Sequence, residues 1–147
     1  MEAIAGLDEE GFRARPAPGE WSPAEVLAHL LLDEAKLLEY AGAALQADAA
    51  IPFITDEERE THAEDAARRM PVPQIVHGLL ARRRDTLALL ERLTPEQLDR
   101  PVRHPAYGDV RVARLFQHVA EHEEEHAHQI RTVRERTGRN PQGASAL

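Results

Sequence analysis

Residues 118–130 read HVAEHEEEHAHQI, and this stretch decides how the 147-residue chain is interpreted. In an α-helix, residues four apart lie one above the other, so His122 and His126 share a face. A helical wheel over residues 110–133 places both histidines inside the apolar arc and His128 on the opposite side. Two imidazoles at this spacing can bind one metal ion together.

A second interpretation of the same pattern stays open. A single histidine on an apolar helix face is more often a hydrogen-bonded core residue than a metal ligand. Two histidines that both face inward favour the metal site, and a third ligand on another helix would favour it further.

Composition limits the classes of protein that fit. A chain of this length is most simply one domain, predicted to span residues 1–147 around a single core. There are no cysteines, so any metal must be bound by nitrogen and oxygen, and disulfides and a cysteine nucleophile are excluded. The net charge of −8 disfavours nucleic acid and anionic membranes as partners. With neither an apolar run of about 18 residues nor a signal peptide, the sequence predicts a cytoplasmic protein.

Helix signals divide the chain into segments. Residues 1–20 are predicted as a leader, with one short helix over Asp8 to Phe12 that Gly11 breaks. The first long helix begins after Ser22, whose hydroxyl, the following proline and Glu25 form a capping box, and it reaches about Leu45.

Three further helices complete the prediction. The second begins at a capping box in residues 55–58, reaches about Met70, and is expected to be short and packed at the edge, with a single apolar side made of Ala63, Ala66, Ala67 and Met70. The third spans about Gln74 to Leu93, and residues 94–97 form another capping box that adds one turn. Residues 101–110 are predicted as a loop. The last helix runs from about Arg111 to Arg136, before a frayed tail over residues 138–147. The expected fold is therefore all-α, a four-helix bundle.

A third histidine can join the pair on the last helix. His29 lies at the flank of the apolar arc of the first long helix, where a crevice between two helices would leave it half buried. If the first and last helices are adjacent, His29, His122 and His126 can converge and leave one coordination position open, which is typical of a catalytic site. Asp33 and Gln129 are placed to orient the imidazoles.

Other polar residues near the histidine pair allow more than one role. Glu123 falls on the apolar arc one turn from His126, where a general base, an acceptor for a ligand or a charge at a dimer interface are all compatible. His118 is an alternative ligand. The remaining polar candidates are predicted to be exposed to solvent. They are the glutamates on the outer helix face, Glu121, Glu124 and Glu125, and the histidines His62 and His77. The basic run Arg82, Arg83 and Arg84 is also predicted to be exposed, and it is too remote in sequence to be placed near the site.

The segment WSPAEVLAHL at residues 21–30 is followed about ninety residues later by HEEEHAHQI at residues 122–130. With these two segments in this order, the sequence resembles the DinB/YfiT-like superfamily of metalloenzymes. The PGEW entry at residues 18–21, the TPEQL turn at residues 94–98 and Tyr107-Gly108 occur in family order. The resemblance thus covers nearly the whole chain.

This resemblance implies a four-helix bundle that holds a divalent ion, nickel or zinc among those found in the family. By motif position, the ligands would be His29, His122 and His126. Characterised family members use small thiols, as bacillithiol S-transferases and a mycothiol-dependent isomerase, whereas others are described only as metal-dependent hydrolases. The family also includes dimers.

Three functional interpretations follow. In the first, the protein is an enzyme in which a divalent metal activates water or a thiol cosubstrate, and a small molecule is the substrate. In the second, it binds a metal or small molecule without turnover, and a fourth protein ligand such as His118 or Glu125 closes the site. In the third, the histidines are core residues of a helical protein.

Overall fold

The computed structural model describes residues 2–46, 55–104 and 107–138. After a single 3-10 turn at Glu2–Ile4, the elements are α1 (Glu9–Arg13), α2 (Pro23–Leu45), α3 (Asp56–Arg69), α4 (Val72–Leu90), α5 (Pro95–Leu98), β1 (Pro101–His104), β2 (Gly108–Arg111) and α6 (Val112–Arg136). The four long helices α2, α3, α4 and α6 form a four-helix bundle, which confirms the predicted fold class.

Capping chemistry sets where α2 begins. The hydroxyl of Ser22 accepts a hydrogen bond from the backbone N–H of Glu25 at 3.4 Å, and the Glu25 carboxylate accepts one from the Ser22 N–H at 2.8 Å. Each bond satisfies a backbone donor that has no partner within the helix. The same reciprocal pair occurs before α3 and α5, so all three predicted capping boxes are confirmed.

The bundle is assembled on α2, which packs against α3, α4 and α6. Buried side chains along α2, among them Val26, Leu27 and Leu37, fill the space between these helices. Burial of each such side chain contributes about 1.5–3 kcal/mol relative to an exposed position. Since α2 lies against α6, His29 on α2 can meet His122 and His126 on α6.

The N-terminal segment is part of this packing. Ile4, Phe12 and Trp21 contact the core cluster, and Arg134 of α6 donates to the carbonyl of Ala3 at 2.6 Å. The prediction that Gly11 breaks the short helix was wrong, because α1 continues through this buried glycine to Arg13.

The middle helices differ slightly from their predicted bounds. The expected apolar side of α3 is confirmed, since Ala63 and Ala67 are almost fully buried where α3 packs along α2. Helix α4 begins at Val72 and ends at Leu90, earlier at both ends than predicted. Pro73 can lie inside its first turn because the backbone N–H groups there need no helical partner.

The predicted loop over residues 101–110 was wrong for the described positions. Two short antiparallel strands occupy them, with Val102 opposite Val110 and His104 opposite Gly108. Val102 is buried in a second core cluster with Leu37 and Leu115, and this contact holds the hairpin against the bundle. Four-residue strands are too short to show an alternating pattern, so their stability comes from the surrounding tertiary contacts.

Helix α6 ends where predicted. Gly138 follows it with φ of 68°, the left-handed conformation that glycine adopts readily after a helix. The rest of the predicted tail, residues 139–147, lies outside the described residues. Within the described ranges, none of the helices combines the length and the apolar character that crossing a bilayer requires.

Candidate metal centre

Three histidines from α2 and α6 meet inside the bundle. His29 is 6% exposed and packs on the ring of Trp21, while His122 and His126 are half-buried. Each of the three offers one ring nitrogen, and these nitrogens all lie within 4.8 Å of one another. The predicted convergence is therefore present, and His29 is more deeply buried than the sequence indicated.

The contacts within the cluster centre on one atom. Nε2 of His122 lies 2.9 Å from Nε2 of His29 and 3.2 Å from Nε2 of His126. Two nitrogens that bind the same ion at about 2.0–2.1 Å in tetrahedral geometry are about 3.3 Å apart. The spacing therefore suits three imidazoles that share one divalent metal ion.

Hydrogen bonds alone do not explain these contacts. Nδ1 of His126 lies 2.7 Å from the Oε1 atom of Gln129, so it carries the ring proton and Nε2 presents a lone pair to the cluster. Nε2 of His122 can carry one hydrogen, yet it faces two imidazole nitrogens and the Asp33 carboxylate. A cation placed between the three imidazole nitrogens would interact with the lone pair of each, so this set of donors fits a divalent metal.

Asp33 and Gln129 lie where the sequence placed them, beside the imidazoles. Oδ2 of Asp33 is 3.0 Å from Nε2 of His122 and 3.2 Å from Nε2 of His29. Its other oxygen faces Arg59 of α3, at 3.9 Å from Nε. The carboxylate thus contacts the ring nitrogens of His29 and His122, but it does not belong to the group of three nitrogens that lie within 4.8 Å of one another.

The environment keeps the rings in the form that binds metals. Burial lowers the pKa of His29 to about 4, against the opposing effect of Asp33. Burial likewise lowers the pKa of His126. Metal ligation requires neutral imidazole, so both rings are prepared for it at neutral pH.

Asp33 remains ionised in the same surroundings. Burial by itself would raise the pKa of this carboxyl group. The hydrogen bond with His122, together with His29 and Arg59 nearby, outweighs burial and holds the pKa of Asp33 below its usual value. The site therefore contains a carboxylate beside the neutral ring of His29.

Glu123 takes part in an ion pair. The sequence allowed it to be a general base, a hydrogen-bond acceptor for a metal-binding side chain or a charge at a dimer interface. Its Oε2 lies 2.5 Å from Nη1 of Arg83, and its side chain is 41% exposed. Arg83 also donates two hydrogen bonds of 2.8 Å to Glu34, which is almost completely buried on α2. One arginine of α4 thereby joins α2 to α6.

The prediction for the basic run 82–84 was therefore wrong at Arg83. Arg82 and Arg84 are exposed, as expected, but Arg83 is half-buried and lines a cavity next to the histidine cluster. Sequence distance was misleading because α4 packs against α2 and so returns the chain to the site.

The residues considered as a fourth ligand lie elsewhere. His118 stacks on His122 with ring centroids 5.5 Å apart, and its Nε2 is 3.3 Å from the hydroxyl of Tyr107. Glu125 is exposed on the outer face of α6, as are Glu121 and Glu124. Neither His118 nor Glu125 belongs to the three-histidine group found among the described residues.

A cavity of about 370 Å³ adjoins the cluster, within the range of about 300–1,000 Å³ that small-molecule sites occupy. His122 and Asp33 line it where it meets the cluster, and Leu37, Leu115 and Val119 supply apolar surface. Aromatic and imidazole rings form another part of its wall: Tyr40, His104, Tyr107 and His118. The place of Tyr40, His104 and Tyr107 in this wall was not predicted from the sequence, where the Tyr107-Gly108 pair of the family resemblance was the one signal.

The fold and this cluster define the class of protein: a four-helix bundle with a candidate three-histidine metal centre between two of its helices. A family model of the DinB superfamily matches residues 1–130, so the chain belongs to the DinB superfamily. This match confirms the resemblance found in the sequence.

Two individual proteins are similar over most of their length. The uncharacterized protein YuaE of Bacillus subtilis (strain 168) is 24% identical over 147 residues, which cover 92% of this chain and 91% of YuaE. The solved structure of YfiT from Bacillus subtilis superposes with a TM-score of 0.79 at 18% identity, over 95% of this chain and 79% of YfiT. YfiT is described as a probable metal-dependent hydrolase with an unusual four-helix bundle topology. At this identity the likeness shows a shared fold.

Proposed function

We propose that this chain is a divalent-metal-dependent enzyme that hydrolyses a small substrate or transfers a low-molecular-weight thiol to an electrophile. The observation that carries the proposal is the convergence of His29, His122 and His126 beside a cavity of substrate size. The description of YfiT as a probable metal-dependent hydrolase supports the hydrolytic form of the proposal.

The chain's own residues prepare the site for this chemistry. The Oε1 atom of Gln129 accepts a hydrogen bond from the Nδ1–H of His126, so the lone pair of Nε2 faces inward. Burial keeps His29 neutral, and its packing on Trp21 fixes the ring. When bound, a divalent ion would lower the pKa of a coordinated water or thiol, which supplies the nucleophile. The cavity beside His122 would hold the molecule to be attacked.

Thiol transfer is the second form of the proposal. Because the chain has no cysteine, its thiol would be a cosubstrate of the bacillithiol or mycothiol type. Three imidazoles suit nickel and zinc, the two ions we propose. A cytoplasmic location and a homodimer also remain proposals, the latter from the family resemblance.

A binding protein without turnover is the competing function, and it predicted a site closed by His118 or Glu125. His118 instead contacts Tyr107, and Glu125 is exposed, which supports the enzyme.

The first test is the metal content of protein purified without an affinity tag, then stripped and reloaded. We expect about one ion per chain in the wild type and a loss of most of it in His122→Gln, because this ring contacts both other ligands. His128→Gln is the matched control, since His128 is exposed on the same helix. Failure of the reloaded wild type to bind metal would contradict the proposal.

Activity is then measured on reloaded protein, with thiol-reactive electrophiles in the presence and absence of small thiols and with hydrolysable esters and amides. If Glu123 acts as general base, Glu123→Gln should lower the rate by about 10²–10⁴-fold at unchanged metal content. Glu124→Gln, an exposed neighbour, is the control. A protein that binds metal yet is inert in every assay would instead support the binding function.

A further inference from the structure

Lysine and arginine side chains line the cavity beside the histidine cluster, and they differ in how firmly they are paired. Nζ of Lys36 lies 2.6 Å from Oε2 of Glu39. Arg83 donates two hydrogen bonds of 2.8 Å to the buried carboxylate of Glu34. The third side chain, Arg59 of α3, has weaker partners among the described residues, so its charge is the one that a ligand can use.

The guanidinium of Arg59 keeps most of its capacity for hydrogen bonds. Its nearest approach to Asp33 is 3.9 Å, from Nε to Oδ1, which is longer than a hydrogen bond. Its Nη2 lies 3.2 Å from Oδ1 of Asp56, whose side chain is 90% exposed. An ion pair with such an exposed partner contributes little, because water screens it. A guanidinium has five N–H donors, so this pairing leaves donors for an anion that enters the cavity.

Arg59 lies close to the candidate metal centre and to the hairpin. Oδ1 of Asp33 faces Arg59 and Oδ2 lies 3.0 Å from Nε2 of His122, so one carboxylate stands between the guanidinium and the histidine cluster. Burial lowers the pKa of His104, and the positive charges of His118 and Arg59 lower it further. A group bound at Arg59 would therefore have the histidine cluster on one side and the aromatic rings of the cavity wall on the other.

The charges of the cavity wall limit what such a group can be. Among the described residues, five carboxylates and three lysine and arginine side chains line the cavity, a difference of two negative charges at neutral pH. A divalent ion at the histidine cluster would offset this difference, so an anion meets no net repulsion there. Asp33 and Asp56 beside Arg59 still repel a second negative charge, which favours a carboxylate over a phosphate.

We infer that the cavity binds a small aromatic carboxylate, whose carboxylate group pairs with Arg59 and whose ring packs on Tyr40 and Tyr107. This inference rests on the proposed function, because it names the substrate class of the same site. The planar fork of arginine binds a carboxylate through two parallel hydrogen bonds. Aromatic rings attract one another in offset or edge-to-face arrangements, and the remaining wall near them is apolar.

The test uses benzoate as the probe and benzamide as its neutral counterpart. Full-length wild type, Arg59→Met and Lys36→Met are loaded with zinc and titrated with each compound. Ligand-observed NMR gives the dissociation constants, and the zinc content is determined on the same samples. Lys36→Met is the matched control, because it removes an equal charge from the wall of the same cavity.

The wild type should bind benzoate at least about 10-fold more tightly than benzamide, since only benzoate forms a charge-assisted pair with Arg59. Arg59→Met should weaken benzoate binding by about 10-fold or more and change benzamide binding by less than about 2-fold. Lys36→Met should change benzoate binding by less than about 3-fold, because its charge is already paired with Glu39.

Equal benzoate affinities in Arg59→Met and Lys36→Met, in samples that contain zinc, would overturn the inference and leave the proposed function intact. A wild type that binds benzoate no more tightly than benzamide, or binds neither compound, would overturn it too. If the reloaded wild type contains no zinc, the proposed function fails, and the comparison of Arg59→Met with Lys36→Met still decides the inference.

A second measurement does not depend on a variant being folded. In a crystal structure of zinc-loaded wild type with benzoate, both carboxylate oxygens should lie about 2.7–3.2 Å from guanidinium nitrogens of Arg59. A carboxylate bound instead to the zinc ion, at about 2.0–2.2 Å, would contradict the assignment of Arg59.

Discussion

Among the described histidines, His29 is the one whose protonation the fold opposes most strongly. Its ring is almost fully buried against Trp21, and its pKa falls to about 4 from the ordinary value of 6.5. In the unfolded chain the same ring takes up a proton as the pH falls below 6.5. The stability that neutral His29 contributes is therefore complete above that pH and is lost as the pH falls toward 4.

We predict that the free energy of unfolding of the metal-free protein decreases between pH 7 and pH 4.5, by about 3 kcal/mol at most from this residue. Urea unfolding in the presence of a chelator measures it. His29→Gln should flatten the dependence, although His126, whose pKa is also lowered by burial, leaves a residual slope of the same sign. His128→Gln should retain the full slope. An identical slope in His29→Gln would contradict this account.

The three histidines also show which positions at the site a sequence pattern was sufficient to predict. The four-residue spacing placed His122 and His126 on one face of a helix, and the structure confirms it. The same periodicity left His29 at a flank. Its burial depends on Trp21 and α6, which no pattern within α2 contains.

Among the elements, α2 depends most on its first turn, because that turn holds the chain that carries His29 and Asp33. Ser22 is buried and caps this turn through a hydrogen bond with the backbone of Glu25. The N-cap thus links a local sequence motif to the position of the candidate site.

We predict that Ser22→Ala lowers the free energy of unfolding by about 1 kcal/mol, the usual cost of a lost N-cap hydroxyl. Thr94→Ala is the matched control, since Thr94 caps only the four-residue helix α5 and should cost less. Urea midpoints compare the two variants. Equal losses would show that the cap of α2 has no special weight in the bundle.

The hairpin is the element that the sequence did not predict. Each strand has four residues, and only Val102 is buried within them. Such strands have little intrinsic preference and form because Val102 packs into the cluster of Leu37 and Leu115. Through the hairpin, His104 and Tyr107 reach the wall of the cavity.

In the whole molecule, one arginine joins three helices. Arg83 of α4 binds the buried carboxylate of Glu34 on α2 and the half-exposed Glu123 on α6. Hydrogen bonds with Glu34 outweigh burial and raise the pKa of Arg83, so this charge is permanent. Loss of one partner of a buried pair leaves an uncompensated charge.

We predict that Arg83→Met destabilises the protein by about 3–5 kcal/mol, because Glu34 would remain buried without a counter-charge. The double variant Arg83→Met with Glu34→Met should recover most of this loss, since an apolar pair needs no compensation. Arg82→Met, an exposed neighbour, should change stability by less than about 0.5 kcal/mol. Thermal or urea unfolding tests all three, and a double variant as unstable as the single one would contradict the prediction.

The sequence by itself determined the features that depend on neighbours along the chain. Capping boxes set the starts of α2, α3 and α5, apolar periodicity identified α2, α4 and α6, and the i, i+4 spacing paired His122 with His126. These signals act within a few residues and are therefore readable without knowledge of the fold.

Only the tertiary structure decided which surfaces meet. The packing of α2 against α6 brings His29 and Asp33 to the other two histidines, and the packing of α4 against α2 brings Arg83 to the cavity. The hairpin adds Tyr107 to the same wall. Such contacts depend on the rotation and translation of whole helices, which the sum of many small packing energies fixes. No local pattern contains that sum, so the three histidines of the candidate centre could be predicted from the sequence, whereas the residues around them could not.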